Sequence, residues 1–188
     1  MSVGIVVLIV VIVLIALIVL IGFTQFNKLR RLDIQVDGAL GGIDTLLTKR
    51  ADLVPNLVET VKGGADFEKS TLENVTAARA SMAQATTVEQ KATADGALTQ
   101  ALGRLFAVAE AYPQLTATAG FRDLQGQLQQ IEGELQFARQ YYNDAVVQLN
   151  TSVKTAPAMW FTGVAKVQAR PMYSEPDAAK REAPRVQF

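Results

Sequence analysis

Two residue types are missing altogether: the sequence has no cysteine and no histidine. Without cysteine there is no disulfide framework, no thiolate nucleophile and no soft metal site. Without histidine the usual general base near neutral pH and the commonest metal ligand are gone. Net charge is missing too, since 18 basic residues balance 18 acidic ones. A neutral chain lacks the basic footprint of a nucleic-acid binder, and no nucleic-acid partner is expected. There is no phosphate-binding glycine loop, no dinucleotide fingerprint and no nucleophile elbow. Beyond the N-terminal stretch few runs are rich in β-branched residues and alanine is abundant, which favours an all-helical protein.

What is present begins at the N-terminus. From Val3 to Phe23 every residue is apolar or glycine, and every Lys, Arg, Asp and Glu lies beyond it. As a helix rising ~1.5 Å per residue this run is roughly 31 Å long, against a bilayer core of about 30 Å. Only Met1 and Ser2 precede it, it exceeds the ~7–15 residues of a signal-peptide core, and Gly22-Phe23-Thr24 is a poor cleavage site. A permanent single-pass anchor over residues 1–24 is expected. Lys28, Arg30 and Arg31 follow closely and would meet the membrane surface. By the positive-inside tendency the N-terminus faces out and the remainder lies in the cytoplasm.

Past the anchor, Phe26, Leu29, Leu32, Val36, Leu40 or Ala39, Ile43, Leu46 and Leu47 recur every three or four residues, one stripe of a helix over about 27–50. Nothing between Phe23 and Asn27 breaks a helix, so anchor and first cytoplasmic helix are expected to be continuous. Gly38, Gly41 and Gly42 weaken it locally. Gly38 and Gly42 also have the spacing of a close helix crossing, which makes them candidate assembly contacts. Pro55 predicts a kink or restart near Asp52, with an end at Gly63-Gly64. Further helices are expected from Asp66 to about Ala85, from Val88 to Tyr112, and from about Ala119 to Lys154. The last carries the longest stripe, Phe121, Leu124, Leu128, Ile131, Leu135, Ala138, Tyr142, Ala145, Leu149 and Ser152, either a bundle seam or a coiled-coil association surface. Residues 25–156 therefore read as a helical bundle. Residues 157–188 read as a short apolar cluster and an extended tail that orders on assembly. Met159, Trp160 and Phe161 in the cluster either plug the bundle end or contact a second subunit or a lipid interface.

Several stretches together resemble the LemA family. They are residues 50–63 (RADLVPNLVETVKG), 71–80 (TLENVTAARA), 102–105 with 109–113 (LGRL and AEAYP), 138–146 (ARQYYNDAV) and 181–188 (REAPRVQF). The resemblance implies a bacterial membrane protein with a short outward N-terminus and a cytoplasmic bundle of long antiparallel helices. No catalytic residue comes with it. The chain departs from the family's pattern at Leu40-Gly41, where an aromatic and a small polar residue are usual, and at Gly64 and Phe67, where an aromatic and a histidine are usual.

The carboxylates Asp52, Glu73, Glu110, Asp123, Glu132, Glu134 and Asp144 could do acid–base work only by converging in a cleft with shifted pKa values. The di-metal bundle pattern cannot be completed without histidine, although a hard-cation site of carboxylates alone stays open. A buried polar network that fixes helix register is expected instead, from Arg50, Asp52, Asn56, Glu59, Arg79, Arg104, Asn143 and Asp144. The expected architecture is all-α: a single N-terminal transmembrane helix continuing into a cytoplasmic antiparallel bundle of four to five helices. The expected role is a non-catalytic scaffold of the bacterial inner membrane, with no cofactor. Its partners would be the lipid bilayer and further copies of itself, or another membrane or cytosolic protein.

Overall fold

One helix, α1, runs without interruption from Val3 to Gly64, in a computed structural model that describes residues 3–64 and 69–174. The expected continuity of the apolar run with the following helix is observed. Fully burying one large aliphatic side chain is worth about 1.5–3 kcal/mol. The run from Val3 to Phe23 leaves all of its large aliphatic side chains exposed within the chain. From Leu29 onward a single stripe turns inward: Leu29, Leu32, Val36, Ala39, Ile43, Leu47, Val54, Leu57 and Val61 are buried, with the 3–4 alternation of a core-facing helix.

Of the two outcomes expected near Asp52, the restart does not occur: α1 continues through Pro55. An interior proline costs about 3 kcal/mol, through a lost hydrogen bond and a clash with the preceding turn. Val54, Leu57 and Val61 around it are at most 1% exposed. Three such burials, at about 1.5–3 kcal/mol each, outweigh that cost.

The other elements are α2 (Lys69–Gln84), α3 (Val88–Ala109), α4 (Pro113–Thr116), α5 (Ala119–Lys154), a 3-10 turn (Ala158–Phe161) and α6 (Thr162–Ala165). No strand occurs among the described residues. The expected start at Asp66 lies outside them. Thr87 opens α3 with a reciprocal cap: its Oγ1 accepts from the Gln90 backbone N–H at 3.2 Å, and Gln90 Oε1 accepts from the Thr87 N–H at 3.1 Å. Helix α3 ends at Ala109, three residues before the expected Tyr112. Pro113 does not simply stop a helix but starts α4, because its missing N–H is harmless in a first turn. Helix α5 has the expected bounds.

The chain divides into two compact units. In the first (Met1–Ala39 and Asn143–Arg170), Leu29, Leu32, Val36, Ala145, Val146, Leu149 and Ala158 are core residues. In the second (Leu40–Tyr142 and Pro171–Phe188), α2 packs on α3, and Phe106 meets Phe121 edge to face with ring centres 5.9 Å apart. Residues 166–174, expected to order only on assembly, are non-helical but already packed, with Val167 and Tyr173 buried. The rest of the expected tail, including 181–188, lies outside the described residues.

Candidate functional site

The first unit contains the element best suited to a function, the exposed apolar end of α1. It is long and apolar enough to cross a membrane, and the segment that qualifies has none of its length buried. Lys28 and Arg31 are exposed one to two turns beyond Phe23, and Arg30 is exposed while reaching Asp33 at 3.5 Å. The 3-10 turn stands beside Gly22: a Cβ at that glycine would lie 3.2 Å from Cε1 of Phe161. Phe161 is half-buried there, whereas Met159 and Trp160 are exposed, so a plug of the core formed by Trp160 is not what the structure has. At Gly38 and Gly42 a Cβ would have no neighbour within 4 Å. The close crossing their spacing allows is therefore not made by any described part of the chain itself.

The same unit holds its last segment with polar contacts. Asn150 on α5 clamps the backbone of Arg170, donating from Nδ2 to its carbonyl at 2.9 Å and accepting its N–H on Oδ1 at 2.8 Å. The Arg170 guanidinium donates to Asp33 at 2.9 Å and Asp37 at 3.2 Å on α1.

In the second unit α1, α3 and α5 each contribute charge to one buried cluster. Asp95 of α3 has no solvent exposure. Its Oδ1 accepts from Arg50 Nη1 at 2.8 Å, and its Oδ2 accepts from Arg139 and from the Tyr173 hydroxyl, the latter at 2.9 Å. Glu132 completes the cluster, 2.9 Å from Arg50 Nη1 and 3.3 Å from Arg139 Nη1. The approach of Arg50 Nη1 to Glu132 Oε2 is an ion pair without hydrogen-bond geometry, so that oxygen is buried without a hydrogen bond, and Arg50 Nε is buried without one as well. Two arginines and two carboxylates sum to zero, as burial requires. Burial alone would lower the pKa of Arg139, but the facing Asp95 and Glu132 carboxylates outweigh it and raise the value. Tyr173 is pushed up, first by burial and then by Asp95, so it stays a neutral donor. Its ring also lies under the Arg139 guanidinium, 5.8 Å from centroid to carbon. Tyr142 donates to the Pro171 carbonyl at 2.9 Å.

The expected polar network is thus corrected in membership. Arg50 belongs to it, and Asn143 is half-buried. Asp52, Asn56, Glu59, Arg79, Arg104 and Asp144 are exposed instead, because each falls off the inward stripe of its helix. Glu73 and Glu110 are exposed as well. Arg79 has a different task. Pro55 has no N–H to give the carbonyl four residues before it, that of Ala51, and Arg79 Nε donates to that oxygen at 3.0 Å.

Asp95 and Arg139 had a visible signal. Asp95 stands three before Leu98 and seven before Leu102, in phase with the α3 core positions. Arg139 stands one heptad after Glu132 and three before Tyr142. A charge in core phase marks a position that needs a buried partner.

A cleft of about 420 Å³ is lined in part by Asp44, Thr48, Asp52, Arg79 and Lys91. Its one close charge pair is internal, Lys91 Nζ lying 2.6 and 2.7 Å from the two Asp44 oxygens. Among the described residues no three acidic side chains stand where they could hold a metal ion.

These features define a class, an all-helical protein carrying one helix able to cross a membrane. More specifically, the chain belongs to the LemA family, whose model matches residues 39–188. No curated protein matches the chain.

Proposed function

We propose that this LemA family protein is a non-catalytic scaffold anchored in the bacterial inner membrane, and that it acts by self-association. The observation that carries this reading is the exposed apolar length of α1, whose large aliphatic side chains all stay exposed and which meets only Phe161, at Gly22, among the described residues of its own chain. Lipid and neighbouring α1 helices are the surroundings that suit it. The open glycine face at Gly38 and Gly42, roughly 22–29 Å along α1 beyond Phe23 at ~1.5 Å per residue, supports association of the helices outside the membrane. Lys28, Arg30 and Arg31 favour an outside N-terminus and a cytoplasmic antiparallel bundle. The non-catalytic reading is supported by the buried charges, since Asp95, Arg50 and Arg139 are engaged with one another and with Tyr173.

The test is the oligomeric state of the full-length chain in native-lipid nanodiscs, read by mass photometry or light scattering. Multimers that dissociate on Gly38→Leu or Gly42→Leu are expected. Monomers alone would sink the self-association reading. An adaptor role is the second reading, favoured by Phe137 and Tyr141, which are exposed one turn apart on α5. Cross-linking from position 137 in native membranes that captured a different protein, and no second copy, would favour it.

A further inference from the structure

We propose that the 3-10 turn and α6 form a second membrane contact, a foot that sets Trp160 in the boundary between lipid head groups and acyl chains. The proposal rests on α1 being a membrane span. Its first support is position. Phe161 packs where a Cβ on Gly22 would crowd its ring at 3.2 Å, and Gly22 is the second-to-last residue of the apolar run. The foot is therefore held at the level where α1 leaves the hydrocarbon.

Its second support is the way the foot presents its side chains. Ala158 and Ala165 are buried and fix the segment to its unit. Trp160 and Val164, one helical turn apart, are 70% and 73% exposed, and Phe23 on α1 is exposed too. A tryptophan at this level has an apolar ring for the acyl boundary and an indole N–H for the head groups.

Charge is the third support. Lys154 and Lys166 flank the foot, and Lys28 and Arg31 lie beyond Phe23 on α1, all exposed. This cationic setting complements anionic phospholipid head groups. Such a contact would fix the first unit to the bilayer at two points rather than one, and so restrict its tilt about α1.

The chain has a single tryptophan, so the test needs no label. The full-length protein is placed in nanodiscs of phosphatidylcholine and phosphatidylglycerol bounded by a tryptophan-free scaffold. Trp160 emission is then followed with phosphatidylcholine brominated at shallow or deep acyl positions, and with aqueous iodide. Blue-shifted emission is expected, with quenching stronger from shallow than from deep bromines. Iodide quenching should be several-fold weaker than for N-acetyltryptophanamide. Red emission with full iodide access would overturn the proposal. So would protection from both iodide and bromolipid, which would mean that a second copy covers Trp160. The Gly22→Leu variant keeps the anchor apolar but removes the seat of Phe161, and bromolipid quenching should fall several-fold. Unchanged quenching in that variant would overturn the placement of the foot by Gly22. Alkaline carbonate extraction of native membranes separates the two readings. Release of the wild-type chain would defeat the anchor itself, whereas retention with a water-exposed Trp160 would defeat only the foot.

Discussion

The contact between Arg79 and Ala51 predicts an energetic coupling between two residues that touch only through a carbonyl. In a regular helix the Ala51 oxygen would accept the N–H of residue 55, and Pro55 has none. Arg79 Nε supplies the missing donor at 3.0 Å. Hydrogen bonds from charged donors contribute about 1.5–3 kcal/mol when buried, and solvent at this exposed site reduces that to about 1 kcal/mol. Arg79→Met keeps most of the apolar stem and deletes the donor. For a domain of 150–250 residues 1 kcal/mol moves the midpoint by about 2–4 °C, which is the expected drop. Pro55→Ala restores the intrahelical bond and should itself stabilise by about 2 kcal/mol, the helix gain less the added freedom of the unfolded chain. In that background Arg79→Met should cost almost nothing. The measurement is thermal unfolding of the four proteins in detergent, followed by circular dichroism, with the coupling taken from the cycle. Equal drops in both backgrounds would refute the idea that Arg79 replaces the donor Pro55 lacks.

The buried cluster gives a larger effect. Asp95→Asn leaves two buried arginines facing only Glu132, and breaking a buried pair costs about 3–5 kcal/mol, a midpoint drop on the order of 10 °C; a drop below 2 °C would show that the cluster is solvated. Tyr173 supplies a pH dependence. Its folded pKa lies above the ordinary value near 10, so the stability it confers is complete below pH 10 and declines as pH rises beyond it, where only the unfolded chain ionises readily. Tyr173→Phe should flatten that decline, and stability-versus-pH curves of identical slope above pH 10 would contradict the assignment. Lys166 closes α6 at φ 53°, with its N–H donating to Gly163 and the Val167 N–H to Thr162, at 3.3 and 3.1 Å. Lys166→Gly should therefore raise stability by about 0.5–1 kcal/mol and Lys166→Val lower it. Denaturation midpoints in the reverse order would argue against strain at that position.

Much of the fold was readable because α-helices write their burial as a period. The stripes of α1 and α5 appear in the structure nearly residue for residue, Leu29 to Leu47 and Phe121 to Ser152. Whether Pro55 restarts the helix is not legible locally, because a local rule gives only the cost of a proline in a helix. The offsetting burial of Val54, Leu57 and Val61 depends on elements far along the chain. The polar network was half readable for a similar reason. Arg50 interrupts an apolar stripe, and its in-phase position betrays it. Asp52, Asn56 and Glu59 are close to Arg50 in sequence, yet they lie around the helix on its solvent side.

From the sequence alone one could derive the apolar span, the all-helical class, the positive flank and the seams of α1 and α5. Each depends on composition or on a period of three to four residues within one segment, so no partner is needed to see it. Tertiary structure decided which charges meet. The approach of Asp95 to Arg50, Arg139 and Tyr173 spans 45, 44 and 78 residues of sequence, and no local pattern encodes such pairings. It also decided that Arg79 serves a proline-orphaned carbonyl, that Asn150 and Asp33 hold Arg170, and that Phe161 rests on Gly22. A helix fixes the direction in which each side chain points. What it finds there depends on how the helices are set beside one another.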